Sequence, residues 1–429
     1  MNYRAYYFNK IFPIFLSFFA ATIVFREFSA YVLALLFIIS LIFYKEIYFN
    51  RKKTLEFLFI SIPLLLQIIF FWNNESFYDA VKEIEKYTAY LVLPLIIVFQ
   101  KATLNIEKIL NWFSIFFTTI LFFGILKYII LNFDSVAQYI NGELAWQMGY
   151  AISNSLGSHA PALNLHISFL CFINLHLLLY SLKTSQNINQ VFLKTSLLLI
   201  SISALLIINT RLAIFVFFIG AIVLILFQEI KNAFKYKIVI GVSILILTLG
   251  FLKIFPSTMD KFINKTFNDI EMVGQLDEIN NPEEKIYGSL VTRLTVWKTV
   301  LNISSSSLFF GHGVSAAHSN LFYAYENMNQ KFLAKYKFKV HNQFLDFLLK
   351  FGILGIVLAC LFFFNILRLA LKLNMPYIFY FFVLFSLANM VDDFLIRYDG
   401  IVFSAFWISV FSKLYIDKQK KLKLYKAFS

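Results

Sequence analysis

Charged side chains make up only 14% of this 429-residue chain. A soluble globular domain carries about 25%, so the shortage excludes an ordinary water-soluble protein. Cysteine is nearly absent. Cys171 and Cys360 both lie inside apolar runs and suggest neither a disulfide framework nor a thiolate metal site. A nucleotide-type phosphate-binding glycine loop and a serine nucleophile elbow are also missing. No internal repeat is visible, which disfavours a transporter built from repeats. No small-x-small cleavage site follows the first apolar run, Ile11 to Val24, before the next run begins. That first run therefore reads as a retained anchor, not a removed signal.

What the chain has in abundance is apolar surface. Sixty per cent of it is hydrophobic, with 54 phenylalanines and a mean hydropathy of +0.73. Apolar runs of about 20 residues, each long enough to cross a bilayer core as a helix, recur from end to end. A membrane barrel would show short alternating segments instead. The fold class is therefore all-α: a polytopic membrane protein with about twelve transmembrane helices. The spans are placed near 6–24, 29–44, 55–72, 88–100, 111–131, 161–182, 192–208, 212–228, 238–255, 352–371, 377–396 and 401–416.

The net charge of +14 follows from where the cations sit. With the N-terminus in the cytoplasm, the inner loops and the tail hold 17 lysines and arginines, and the short outer loops hold 5. That imbalance places both termini inside, and the basic tail then faces anionic headgroups. Three regions follow: spans one to nine in 1–255, a large outer (periplasmic) loop in 256–342, and spans ten to twelve with the tail in 343–429. The loop begins acidic (Asp269, Glu271, Asp277, Glu278) and ends basic (Lys331, Lys335, Lys337, Lys339). Between these, Leu290, Leu294, Trp297 and Leu301 recur at helical spacing. They predict an amphipathic helix lying on the membrane surface or packed on the bundle.

Few residues could do chemistry. His341 stands where the loop meets the tenth span, beside Asn342. It is either an interfacial histidine bonding a loop carbonyl or a general base near neutral pH. Arg211 heads the eighth span and Arg293 lies on the amphipathic helix. Each either snorkels into solvent or holds phosphate oxygens with its planar fork. Asp392 and Asp393 lie four or five residues before Arg397, and the spacing of Asp393 allows a structural ion pair with it. His159, His166 and His176 lie in or near the sixth span without supporting carboxylates or thiols, so no metal site is expected there. His312 and His318 read as loop residues without ligand partners.

Three stretches taken together change the balance: "SLVTRLTVWKTVLN", "LFFGHGV" and "VHNQFLDFLLKFGILG". Their Arg-x-x-x-Trp helix, G-x-G turn, His-Asn-x-x-Leu element and Gly-x-x-Gly span entry resemble, in that order, the O-antigen ligase family. Its relatives are the lipid-linked glycan polymerases and the bacterial O-oligosaccharyltransferases. The resemblance is specific over about 290–355. It implies a glycosyltransferase of the C superfamily in the bacterial inner membrane, with its active site in the periplasm and with no metal, nucleotide or other cofactor. The implied donor is a glycan on undecaprenyl pyrophosphate. The acceptor is a hydroxyl of lipid A–core in a ligase, of another lipid-linked glycan in a polymerase, or of a protein in an oligosaccharyltransferase. Carried over, His341 would be the general base, Arg211 and Arg293 would hold the pyrophosphate, and Asn342 would orient the histidine or a sugar. A transporter, which would favour mid-membrane charge pairs and repeat symmetry, and a structural scaffold, which would need none of His341, Arg211 and Arg293, are the competing classes.

The charge asymmetry makes a direct prediction. A topology reporter fused near Asn280 should report an outer location and one at the C-terminus an inner location. A cytoplasmic signal at 280 would put His341 on the wrong face for a lipid-linked donor.

Overall fold

The structure is a computed structural model describing residues 3–42, 47–142, 144–184, 187–227, 234–256 and 269–428. The first part of the expected outer loop (257–268), and parts of the inner loops at 45–54, 183–191 and 229–237, lie outside the described residues. Among the described residues the architecture is helical, and the one bridge pairs Ile47 with Gln100.

Six helices are long and apolar enough to cross a membrane: Ile106–Leu131, Ala160–Lys183, Ile188–Ile208, Lys237–Ile254, Gln343–Leu373 and Tyr398–Leu422. Three shorter apolar helices, Lys10–Thr22, Arg211–Phe227 and Pro376–Val391, accompany them. The chain is a polytopic helical membrane protein. The run expected as one span near 55–72 is two helices end to end, Arg51–Ile60 and Ile62–Ile69. Ser61 lies between them, and a proline sits at the second helix's first turn. Proline has no N–H for the ladder and is tolerated at that position. The Ser61 hydroxyl donates to the Tyr90 carbonyl at 2.8 Å, pinning the joint to the next helix. That next helix, Ala89–Ile97, is the short fourth run.

The Ala160–Lys183 helix is the axis of the bundle. It is almost wholly buried and packs on Ile188–Ile208, Arg211–Phe227 and Pro376–Val391. Small and polar side chains let these helices approach and bond across the apolar interior. The Ser168 hydroxyl donates to the Ala213 carbonyl at 2.9 Å and pairs with the Tyr380 hydroxyl at 2.6 Å. Asn174 reaches Ser201 at 3.0 Å. On the tail side, both oxygens of buried Glu56 lie 2.6 Å from Arg368, so the charge is not left uncompensated.

Residues 269–342, expected as the outer loop, contribute most of a small separate core, built from Val291, Val296, Val300, Leu321, Tyr325, Leu333 and neighbours. The expected amphipathic helix exists, as Leu290–Ser304. Its buried face differs from the predicted one: Val291, Thr292, Thr295, Val296, Thr299 and Val300 face inward, while Leu301 is 55% exposed. The threonines conceal this from a hydropathy reading, because their hydroxyls are satisfied locally. Thr292 donates to the Ile286 carbonyl at 2.7 Å and Thr295 to that of Val291 at 2.9 Å.

The segment is fastened to the membrane bundle at a break in the Gln343–Leu373 helix. Gly352 adopts φ +65° and interrupts the helical ladder. The turn at 308–313 fills the gap. His312 N–H donates to the Leu349 carbonyl at 2.8 Å, Gly313 N–H to the Lys350 carbonyl at 3.1 Å, and Ile353 N–H to the Leu308 carbonyl at 2.7 Å. Backbone groups freed in an apolar setting are thereby paired again. The approach requires glycine on both sides. A Cβ on Gly311 would lie 2.4 Å from the Lys350 carbonyl carbon, and one on Gly352 would lie 2.4 Å from that of Phe309. The "GHG" turn and the Gly-x-x-Gly entry are thus two halves of one joint. Gly352→Ala should destabilise the purified protein by at least about 1–3 kcal/mol, the scale of one forced left-handed residue. A thermal unfolding curve in detergent should show the loss, and an unchanged midpoint would contradict the joint.

Candidate active site

Asn342 is the N-cap of the Gln343–Leu373 helix. Its side-chain oxygen accepts from Phe344 N–H at 3.0 Å and Leu345 N–H at 3.2 Å. The residue before His341 is clamped as well, since the Val340 carbonyl accepts from the Trp297 indole at 2.9 Å. His341 is held between these two restraints with φ +49°, a left-handed backbone that costs a non-glycine residue free energy. Asn342 thus sets the histidine's position through the helix start. The tryptophan of the Arg-x-x-x-Trp element does so from the other side.

The expected ion pair of Asp393 with Arg397 is absent among the described residues. The Pro376–Val391 helix ends before the two carboxylates, so the four-residue helical spacing is never formed. They turn to the histidine instead. His341 Nδ1 lies 3.2 Å from Asp392 and 3.7 Å from Asp393. The pairing occupies Nδ1 and leaves Nε2 available on a side chain 33% exposed.

The two carboxylates have opposite character. Burial disfavours the charge of both. At Asp392 the bonds from His341 and from Asp393 outweigh burial and hold the carboxyl well below the usual range. Asp393, 2% exposed, is pushed up to about 7 by burial and then by the neighbouring Asp392. One oxygen of Asp393 is buried with no hydrogen-bond partner. His341, Asp392 and Asp393 also bring three donor atoms within 4.8 Å of one another, a set that could hold a divalent cation.

The arginines arrive from separate elements. Arg293, on the outer segment, is within electrostatic reach of Asp392, Asp393 and Tyr150. Arg211 is within reach of Arg293 and Tyr150. Its helix begins after a left-handed turn at Asn209. Asn164 fastens that turn from the central helix, donating to Thr210 Oγ1 at 2.8 Å and to the Leu205 carbonyl at 3.2 Å. Both arginines and His341 therefore lie around one centre.

Tyr150 was not singled out in the sequence, yet it feels Asp392, Arg397, Arg293 and Arg211 together. The signal that could have found it is Gly149. A Cβ there would lie 2.3 Å from the Ile208 carbonyl oxygen, so the Ala145–Ser155 helix rests directly on the backbone just before Arg211. His159, His166 and His176 do not converge. His159 precedes the first turn of the central helix, His166 stacks on Phe403 and His176 packs on Tyr377. His318 is helical, and its Nε2 lies 3.1 Å from buried Asp346, which Lys350 also bonds at 2.7 Å. His312 bonds the Ile303 carbonyl at 3.1 Å.

Residues 196–360 match the family model described as O-antigen ligase. Over those residues the chain is similar to the O-antigen ligase family. The matched segment contains Arg211, Arg293, His341 and Asn342, while Tyr150, Asp392, Asp393 and Arg397 lie outside it. A search of curated proteins gave no match. The similarity suggests a glycosyltransferase- or ligase-type function on glycan and lipid-linked substrates.

The carboxylate pair makes a pH prediction. An isolated aspartate ionises near 3.9 in an unfolded chain, whereas Asp393 holds its proton up to about 7. The raised value means that stability is fully present below roughly pH 4 and is lost as pH rises through about 7. Asp393→Asn should flatten the dependence of the melting temperature on pH across that window. An unchanged slope would mean that Asp393 ionises normally.

Proposed function

We propose that this protein transfers a glycan from undecaprenyl pyrophosphate to a hydroxyl of lipid A–core at the periplasmic face of the bacterial inner membrane. The reading includes twelve crossings, both termini cytoplasmic, and the regions 1–255, 256–342 and 343–429 as described above. The observation that carries it is the convergence of a carboxylate-paired histidine with two arginines from separate elements.

In this reading His341 Nε2 takes the proton of the acceptor hydroxyl as its oxygen attacks the anomeric carbon. The bond from that carbon to the pyrophosphate oxygen breaks, and undecaprenyl pyrophosphate departs with the bonding electron pair. Asp392 keeps the Nδ1 proton in place and stabilises the imidazolium that forms, the role a carboxylate plays beside any histidine base. Pyrophosphate is a good leaving group and needs cations more than a general acid. Arginine supplies fixed charge with fork-shaped donors matched to phosphate oxygens, so Arg211 and Arg293 hold the pyrophosphate. Asn342 positions His341 through the helix cap.

A clean deletion separates ligase from polymerase on a lipopolysaccharide gel. Loss of all long chains, with lipid-linked polymer accumulating, means ligase, and core bearing one repeat means polymerase.

The roles divide by kinetics. His341→Ala should lower turnover by ~10²–10⁴-fold with donor binding retained, since a base acts on the acceptor. Arg211→Ala or Arg293→Ala should weaken donor binding and slow turnover, each losing about 1.5–3 kcal/mol of charge-assisted contact. Lysine at either position should restore only part of this, because it keeps the charge and loses the fork. Transfer should persist in EDTA without ATP. A strict requirement for a divalent cation would instead assign His341, Asp392 and Asp393 to a metal, and near wild-type transfer by His341→Ala would remove the base.

A further inference from the structure

Next to the carboxylate pair a cleft of about 340 Å³ opens between the Arg26–Ile42 helix, the end of the Phe77–Lys86 helix and the segment 396–401. Arg26, Lys86, Ser158, His159, Arg397 and Asp399 are among its lining residues. Three of them present buried polar atoms with no hydrogen-bond partner: Ser158 Oγ, His159 Nδ1 and Arg397 Nε. Leaving such groups unpaired costs free energy, and three orphans lining a single cleft call for one occupant rich in acceptor oxygens.

Charge points the same way. Arg26, Lys86 and Arg397 bring three cations to the wall. The Arg26 guanidinium stacks on the Tyr398 ring at 5.8 Å, and Tyr398 in turn bonds Ser29 at 2.9 Å, so the cation is presented from a fixed platform. The opposing carboxylates are Asp399, which also lines the cleft, and Glu83, the ion-pair partner of Lys86. Asp399 accepts from the Gly400 N–H at 3.2 Å. His159 is held down to about 4 by burial and is neutral at physiological pH. A neutral imidazole can donate one hydrogen bond. Gly157, with φ +70°, has open space where a Cβ would stand, so the floor beside Ser158 is clear.

The position of the cleft separates it from the arginines that the proposed mechanism assigns to the donor. Arg397 acts on Asp392, and His159 is within reach of Arg397, Asp392 and His341. Arg211 and Arg293 come instead from the helix after Asn209 and from the outer segment. Two sets of cations therefore approach the His341–Asp392 pair, and a transfer reaction needs two substrates there. We infer that the cleft lined by Arg26, Lys86, Ser158, His159 and Arg397 is the anion subsite of the acceptor: it takes a phosphate group of a phosphorylated glycolipid and so brings that lipid's hydroxyl to His341. The inference rests on the glycosyl-transfer reading.

The test uses the full chain in nanodiscs with an undecaprenyl-pyrophosphate-linked glycan as donor. A phosphorylated lipid A–core and the same lipid enzymatically dephosphorylated serve as acceptors. Arg26→Gln/Lys86→Gln removes two exposed rim cations. It should raise the KM for the phosphorylated acceptor about tenfold, the effect of roughly one lost charge-assisted contact, and leave the donor KM unchanged. Dephosphorylation should raise the wild-type acceptor KM by a similar factor and should add little to the variant. Inorganic phosphate at millimolar concentration should compete only weakly, because a free anion lacks the lipid that holds the acceptor in place; equal competition would make the cleft a site for free phosphate. A rise in donor KM would assign the cleft to the donor. An unchanged acceptor KM, or equal losses with both acceptors, would overturn the inference. Direct binding of each lipid, read by intrinsic tryptophan fluorescence, keeps the two readings separate. If wild-type protein transfers nothing yet binds the phosphorylated lipid more tightly than the dephosphorylated one, and the variant does not, the transfer reading fails and the cleft stands.

Discussion

The structure depends on one unpaired stretch of backbone. A helix that enters a membrane cannot break without leaving carbonyls and N–H groups stranded, yet Gln343–Leu373 breaks at Gly352. The cost is removed by a second chain segment, 308–313, whose own amides take the carbonyls of Leu349 and Lys350. Once that exchange is made, the outer segment and the membrane helix are one object. His318 and Lys350 converge on Asp346 just above the break, and Leu349 belongs to the outer segment's core. His341 and Asn342 stand at the start of the same helix, so the rigidity of the joint is passed directly to the histidine.

Around that fixed point the site collects groups that would repel or titrate away if they stood alone. Two adjacent carboxylates are tolerated because one is paired with an imidazole and the other is driven toward its neutral form. Of the two guanidiniums, Arg293 feels both carboxylates, and Tyr150 acts on both arginines. Such tension among buried charges is characteristic of functional sites.

Much of this was legible in the sequence. Hydropathy shows the helical membrane class, and the spaced Arg, Trp, His, Asn and glycine residues identify the segment in which the family match falls. What stayed hidden has physical causes. The buried face of Leu290–Ser304 is rich in threonine, which hydropathy scores as indifferent even where its hydroxyl is internally satisfied. The expected bond between Asp393 and Arg397 assumed that a helix continued where it stops at Val391. Tyr150 and His159 reach the site only through tertiary packing, the first by way of a glycine resting on the end of another helix. No local pattern announces that kind of contact.

The shared joint also sets where the molecule can be cut. Residues 269–342 look separable, with a core of their own and a mixed-charge surface. Yet Leu349 fills part of that core from the far side of His341, and the 308–313 turn makes three backbone hydrogen bonds with the broken helix. A fragment ending at the histidine would lose both. An engineer exchanging outer segments between two such enzymes would have to move the seam downstream past Gly355, and the unit of inheritance in this architecture is loop and half-helix together.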